Sequence, residues 1–447
     1  MAIEKWDIDY QFLKDAYRGT GGFLDGSYLV RFPKESNEKY LNRIKLAINP
    51  NVVKKVVNSI SGHIFKTSPV RKIESKFYER FCEDTDRKGT DIDEKMKQIL
   101  IQTMIYGTLF IIIDKPRLQA KTKLDEIRNN IFPYIAIRKP THLYNFETDE
   151  YGNLEFIQFK ETTKDNKVFY RTFTKDNWYL SQDDQLKSII DSGQHKLGVV
   201  PVIPFVLQDI DDEELLEPPF ILEIAYMQKD LYNAISELRS ILRDNTFPVL
   251  TYPIKDETEA QKLQNTEVLL STQNGLFYNP EAGAKPEYIA PPSTPADQLL
   301  NYVDWLIRQI FKQVNLDFSG SNESGISKEY DYQEFTKMLA NFSQALESLE
   351  YKIANLIGLW IGEEFTGYIE YNKKYTIMDA KETIQMVLEV LDRPDIPPIL
   401  QNEIWKKITR TIFNDTYDEK QLEALEGAID SREDWEVKMR QEGVLGE

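Results

Sequence analysis

The clearest periodicity in the chain runs through residues 335–360. Phe335, Leu339, Phe342, Leu346, Leu349, Ile353, Leu356 and Trp360 recur there at alternating steps of four and three. That spacing lays one apolar stripe along a helix. A helix over 328–361 would be about 50 Å long at about 1.5 Å per residue. Upstream, Leu299, Val303, Leu306, Ile310 and Val314 predict a second helix, widened by Leu300, Ile307 and Phe311. Thr294 can cap it, Pro295 suits its first position, and Asp297 meets its positive end. A third stripe, Ile221, Ile224, Leu231, Ile235, Leu238 and Leu242, predicts a helix over 220–244. Polar Gln228 occupies the remaining stripe position, and the opposite face carries Lys229, Arg239 and Arg243.

Between the second and longest stripes lies Asp317-Phe318-Ser319-Gly320-Ser321-Asn322-Glu323-Ser324-Gly325-Ile326-Ser327, where neither period survives. Its Gly, Ser and Asn content favours a mobile loop, with Ser327 as a cap for the long helix. An ordinary helical hairpin with a long connector satisfies the same pattern.

The first 210 residues mix the two periods. Helical spacing covers Tyr10–Tyr17, Glu38–Ala47, Asn51–Phe65 and Asp91–Tyr106. The glycine cluster at 19–26 reads as a flexible turn, because its spacing matches neither a dinucleotide fingerprint nor a phosphate loop. Thr108–Asp114 is a buried strand by composition, and 131–137, 141–147, 154–162 and 167–173 are further β-type runs. The prolines in Val199–Val206 confine that extended run to an edge or a loop. These readings give an α+β region with an antiparallel sheet. Beyond Pro248, Val249–Tyr252 and Gly275–Tyr278 read as short strands around a polar helix at 255–270, and 281–295 as a Pro- and Ala-rich connector. After the long helix, Tyr368–Tyr371 is β-like, and 379–391 and 399–413 are helical. From Asp415 onward eleven acids stand against four bases, which marks a polar helix or tail.

Composition narrows the function classes. A hydrophobic share of 41% and a charged share of 29% describe a globular chain. A net charge of −18 excludes a simple basic grip on nucleic acid, so any DNA contact must be loose or rest on a few cations. One cysteine, Cys82, supports no internal disulfide framework and fits a reducing compartment. The N-terminus lacks the apolar core of a secretory signal. The longest apolar runs fall short of the roughly 20 residues needed to cross a bilayer, so a soluble product is expected.

Recognisable chemistry is scarce. His63, His142 and His195 show no ligand spacing, and no nucleophile elbow, zinc-protease helix or Walker sequence occurs. Asp211-Asp212, Asp183-Asp184 and Glu363-Glu364 are carboxylate pairs in polar surroundings, where solvated faces are the ordinary outcome. No metal or cofactor is expected.

The order of parts says more than any motif. An α+β region, a helix, a small excursion, a second helix, a loop and a long helix follow one another. Local wording adds to this: Tyr28-Leu29-Val30-Arg31-Phe32-Pro33-Lys34-Glu35 precedes a helix with Tyr40 and Arg43. Ile60-Ser61-Gly62-His63-Ile64-Phe65 comes next, then a strand after Tyr106-Gly107. Pro201-Val202-Ile203-Pro204 leads to a helix with Leu238-Arg239 and on to Pro248-Val249-Leu250. Over most of its length the chain resembles the portal (head-to-tail connector) proteins of tailed bacteriophages.

The resemblance implies an α+β, portal-like fold. Residues 1–215 and 328–415 would form a wing, 216–244 and 294–316 stem helices, and 245–293 a clip. A tunnel loop would span 317–327, and 416–447 would be a short crown or acidic tail. It implies a ring, twelve subunits in the virion, at one capsid vertex, assembled in the host cytoplasm. Double-stranded DNA would pass through it non-specifically, driven by a separate terminase large subunit. Major capsid and scaffolding proteins and a head-tail adaptor would be its other partners, and no membrane would be involved. By that likeness residues 317–325 face DNA. Lys229, Arg239, Arg243, Asp304, Arg308 and Lys312 on the stem would touch DNA or neighbouring subunits, with surface ion pairing such as Asp304–Arg308 as the alternative. Tyr252, Lys255, Tyr278 and Lys285 would lie on the clip's docking surface. The chain's short C-terminal region departs from a large helical crown. Two other readings remain: a carboxylate hydrolase using residues such as Glu363 or Asp211, and a capsid-associated adaptor that is not a portal.

Overall fold

Short polar residues start the N-terminal helices. Asp9, Ser36, Asn51, Ser75 and Asp91 each accept a backbone N–H from the first turn of the helix that follows. The helices so begun are α1 (Tyr10–Arg18), α3 (Asn37–Leu46), α4 (Val52–Ile64), α5 (Lys76–Glu83) and α6 (Ile92–Tyr106), with a four-residue α2 (Gly22–Asp25) after the first. The computed structural model describes residues 8–116, 131–208, 215–246, 249–253, 258, 275–278, 285, 287–289, 294–316, 325–375, 398–413, 421–422 and 424–430.

The glycine cluster is a tight turn and not a flexible one. A Cβ on Gly22 would fall 2.3 Å from the Tyr28 ring, and one on Gly21, at φ +55°, 2.2 Å from the Asp15 carboxylate. Asp15 is buried, and it accepts hydrogen bonds from Gln11, Thr20 and the Tyr28 hydroxyl.

Among the described residues, three sheets lie in the α+β body. β1 (Val70–Ile73) pairs antiparallel with β13 (Gly367–Glu370), which joins the N-terminal helices to the chain beyond the long helix. β2 (Leu109–Asp114) runs between β3 (Tyr134–Arg138) and β9 (Val202–Phe205), antiparallel to both, and Leu109 to Ile113 are all buried. Pro204 sits on an edge strand, where its missing N–H breaks no ladder. β4 (Leu143–Thr148), β5 (Leu154–Thr162), β6 (Val168–Thr174), β7 (Asn177–Ser181) and β8 (Ile189–Gln194) form an antiparallel meander in chain order. Phe110, Ile112, Ile157, Phe159, Phe173 and Val202 make one apolar core between these last two sheets.

Gly107 controls how the chain passes to the next helix. It ends α6 at φ +76°, and a Cβ there would lie 1.9 Å from the Glu217 carbonyl oxygen. Residues 215–221 cross at that point, held by Glu217 N–H on Thr108 Oγ1 (2.8 Å) and Ile221 N–H on the Met104 carbonyl (3.1 Å). They lead into α7 (Leu222–Thr246). β10 (Val249–Pro253), β11 (Gly275–Tyr278) and β12 (Glu287–Ile289) then build a small sheet with β10 central, parallel to β11 and antiparallel to β12. The segment read as a connector, 281–295, therefore contributes a strand. Of the helix expected at 255–270 only residue 258 is described, in helical conformation, and the helix expected at 379–391 lies outside the described residues.

α8 (Thr294–Gln313) packs along α7, and the Gln313 amide donates to Glu223 in the first turn of α7, so the two run antiparallel. Its predicted stripe is the packed one: Val303, Leu306, Ile310 and Val314 are buried. The long helix, α9 (Gly325–Ile361), has 37 residues, or about 55 Å. Phe335, Leu339, Phe342, Leu346, Leu349, Ile353 and Leu356 are buried as their spacing requires, and Trp360 donates its indole N–H to the Ile113 carbonyl (3.0 Å). Gly325, Ile326 and Ser327, expected in the loop, already belong to this helix.

The chain divides into two compact units, Met1–Lys374 and Tyr375–Glu447. In the second, α10 (Pro398–Phe413) carries Lys406, paired with Glu403 (3.0 Å) and Asp430 (2.7 Å), and Arg410, paired with Glu426. Among the described residues no helix is long and apolar enough to cross a membrane.

Candidate functional site

The antiparallel pair α7–α8 is the candidate site, and its position is fixed by a strap from the N-terminal region. Tyr28–Glu35 lies against α7: the Asn233 amide accepts Val30 N–H (2.8 Å) and donates to the Tyr28 carbonyl (3.2 Å). Arg43 on α3 closes the strap. Its guanidinium makes two 2.9 Å hydrogen bonds to Glu35, one of 2.6 Å to the Val30 carbonyl and one of 3.4 Å to Ser236 on α7, and lies 4.4 Å from the Phe32 ring centre. The Tyr40 hydroxyl donates to the Leu29 carbonyl (3.1 Å). The Arg43 hydrogen bonds hold the Glu35 carboxyl below the usual carboxylate range. Tyr28–Glu35, Tyr40 and Arg43, the early residues quoted for the phage-portal likeness, thus form one cluster on α7.

Gln228, the odd polar residue of the α7 stripe, is fully buried and hydrogen-bonded through both its oxygen and its nitrogen. Its Oε1 accepts Val53 N–H (2.8 Å) and its Nε2 donates to the Ala16 carbonyl (2.9 Å). It therefore ties the C-terminal end of α1 and the first turn of α4 to α7, satisfying an orphan helix N–H and a helix carbonyl at once.

The predicted stem cations divide into two groups. Lys229 is half-buried, with its ammonium 5.6 Å from the Tyr28 ring centre and 5.9 Å from that of Phe12. Arg239 donates to the Leu46 carbonyl, and with Arg43 and Arg243 it lines a cleft. On α8, Asp304, Arg308 and Lys312 are all exposed, and no ion pair joins Asp304 to Arg308 among the described residues. Leu300, expected to widen the packed face of α8, is 50% exposed, and on the other flank of the helix the rings of Tyr302 (43% exposed) and Trp305 (50%) stack with centroids 5.7 Å apart.

Other predicted positions fare differently. Asp317, Phe318, Ser319, Gly320, Ser321, Asn322, Glu323 and Ser324 lie outside the described residues, as do Lys255 and Asp211. Gly325 is the first residue of α9. Tyr252 and Tyr278 stand on adjacent strands of the small sheet, opposite Phe277 and Pro253, and Lys285 is exposed.

Of the carboxylate pairs, Asp183-Asp184 is committed to local structure. Asp183 accepts the N–H groups of Gln185, Lys187 and Ser188, which holds its carboxyl below the usual range. Asp184 accepts the Tyr144 hydroxyl (2.7 Å). Glu363 is half-buried just past the end of α9, where its N–H caps the Gly358 carbonyl (3.0 Å). Among the described residues no group of three His, Cys, Asp or Glu side chains is placed to hold a metal. Cys82 is half-buried, and its thiol is pushed up to about 12 by burial and then by the nearby Glu350 charge, so it stays protonated.

Sequence reasoning missed the buried ionic node. Arg71 on β1 meets Glu350 of α9 (2.5 and 3.0 Å) and Asp93 of α6 (2.6 Å), and the Tyr371 hydroxyl donates to Glu350 (2.6 Å). Its one available signal was an acid at a core-facing position: Glu350 follows Leu349 and is one helical turn from Leu346 and Ile353.

No family model matches the chain, and no curated protein matches it. Its fold is similar to that of solved particle components at low identity. One is a chain in the neck of an empty GTA particle computed with C6 symmetry: TM-score 0.44, 9% identity, 78% of this chain and 88% of that one. Another is from the virion of a native gene transfer agent (GTA) particle: TM-score 0.43, 10% identity, 87% and 96% coverage. A third is from the neck of a native GTA particle computed with C12 symmetry: TM-score 0.43, 10% identity, 85% and 96% coverage. The likeness is one of coarse mixed α+β arrangement, and no residue role is carried over from it.

Proposed function

We propose that the chain is a subunit of a portal-like ring, a structural channel at one vertex of a viral capsid, and not an enzyme. One observation carries this reading. Two antiparallel helices, α7 and α8, bracket a small three-stranded sheet, and the 37-residue α9 then crosses the α+β body. In the ring, α7 and α8 are the stem, the small sheet is the clip, and the segment joining α8 to α9 is the tunnel loop. DNA slides through while a separate terminase drives it, and head-completion proteins dock at the clip.

The physics supports such a channel. A sliding duplex gains little from many phosphate contacts, each of which adds salt-dependent affinity. A chain of net charge −18 with a few exposed cations on one helix pair avoids that grip. A ring is built from one head-to-tail interface that must close. The exposed, stacked Tyr302 and Trp305 of α8 supply aromatic surface for a second copy. Mass photometry and negative-stain microscopy of the purified protein, alone and with scaffolding protein, test the reading. A closed ring, twelve-fold in the virion, is expected. A protein that stays monomeric in every condition would overturn it.

A further inference from the structure

At the meeting of α3 and α7, Arg43, Leu46, Ser236, Arg239, Ser240 and Arg243 enclose a cleft of about 230 Å³. We propose that this cleft is an oxyanion site that takes a phosphate group.

Charge accounting singles it out. Arg43 forms the floor, only 6% exposed, and its charge is answered by Glu35. Arg239 spends one N–H on the Leu46 carbonyl, and neither Arg239 nor Arg243 has a carboxylate partner among the described residues. Two cations therefore face one cavity unanswered, in a chain where acids outnumber bases by 73 to 55. They stand at i and i+4 of a single helix, where like charges repel, and an anion between them removes that repulsion.

The donor set suits phosphate. Guanidinium groups present planar forks that match two oxygens at once. Ser236 and Ser240 add hydroxyls one turn apart on the same face of α7. The volume exceeds several waters at about 30 Å³ each, enough for the anion and part of its hydration. Glu237, half-buried on the same helix, does not line the cleft. The shared chemistry is a phosphate, free or on a nucleic-acid backbone, and the site stands whether or not the subunits form a ring.

Isothermal titration of the full chain with inorganic phosphate, against sodium chloride at matched ionic strength, tests the site. Saturable binding is expected, weakened at least tenfold in Arg243→Gln and Arg239→Gln and less in Arg243→Lys. Arg243 makes no hydrogen bond within the described chain, so Arg243→Gln folds normally and is the decisive variant. Phosphate titrations equal in wild type and Arg243→Gln, or heats no different from chloride, overturn the proposal. A short DNA duplex identifies the source: displacement of phosphate by duplex, lost in Arg243→Gln, assigns a DNA backbone, and phosphate bound but not displaced assigns a free anion. Ring formation by the same variants, read by mass photometry, reports on the portal assignment separately.

Discussion

Two arginine-centred regions of this molecule are built on opposite terms. In the α+β body, Arg71 is nearly enclosed and answered on every side by Glu350, Asp93 and, through Glu350, Tyr371. On the helix pair, Arg239 and Arg243 line an open cleft, and Tyr302 and Trp305 stand in solvent a helix away. The first region uses its charge to join β1, α6, α9 and the segment after β13. The second leaves charge and aromatic surface uncommitted. A buried charge must be satisfied internally because desolvation is expensive, whereas a surface that is to meet partners must keep its groups free. The contrast separates residues that hold the subunit together from residues that await something else.

The largest break in that contrast is Glu350→Ala. It leaves Arg71 and the Tyr371 hydroxyl without their central partner, and removing one member of a buried pair costs about 3–5 kcal/mol. Chemical denaturation should show that loss. A variant as stable as wild type would mean that the node does not bind the body together.

Gln228→Leu comes next. It keeps the volume but orphans the Val53 N–H and the Ala16 carbonyl, at about 1–3 kcal/mol per unsatisfied group. This sharpens the comparison, because Gln228 belongs to the same helix as Arg239 and Arg243 yet behaves like the body. Chemical denaturation of Gln228→Leu and Arg243→Gln, measured side by side, should show a loss of about 1 kcal/mol or more for the first, with Arg243→Gln within about 0.5 kcal/mol of wild type.

A smaller effect follows from pH. Burial holds His142 and His195 below their ordinary value of 6.5. The unfolded chain therefore takes up protons before the folded one does. Stability is full above about 6.5 and declines as pH falls below it. Thermal melts between pH 7.5 and 5.5 should show this slope, shallower in His195→Gln. A flat profile in wild type would contradict it.

Much of this arrangement was legible in the residues. The α9 stripe was readable because core burial and helical period coincide over about six turns, and each stripe position from Phe335 to Leu356 is buried as spaced. The α8 stripe was readable for the same reason. What escaped was satisfied polarity. Glu350 and Gln228 look like defects in a pattern until their distant partners, Arg71, Val53 and Ala16, are brought to them by the fold. The cleft escaped for a related cause: Arg43 and Arg239 are almost two hundred positions apart, and only the strap over α7 joins them. The glycine cluster misled in the opposite direction, since its glycines serve close approach to Tyr28 and Asp15.

The smallest effect on subunit stability, and the most informative, belongs to Trp305→Ser. Trp305 is half exposed and, among the described residues, stacks only on Tyr302, which is itself exposed, so removing it uncovers no core and unpairs no buried group. Substitutions of that kind shift stability by about 0.5 kcal/mol or less. Interfaces, however, concentrate their energy in a few aromatic anchors, and truncation of one costs about 2 kcal/mol or more at each contact. A ring repeats that contact at every subunit boundary, so the loss multiplies around the circle. The expected result is a subunit that melts like wild type while the ring population collapses in mass photometry. If rings survive Trp305→Ser unchanged, the α8 face is ordinary solvent-exposed surface, and the division between a closed body and an open helix pair must be redrawn around the arginine cleft alone.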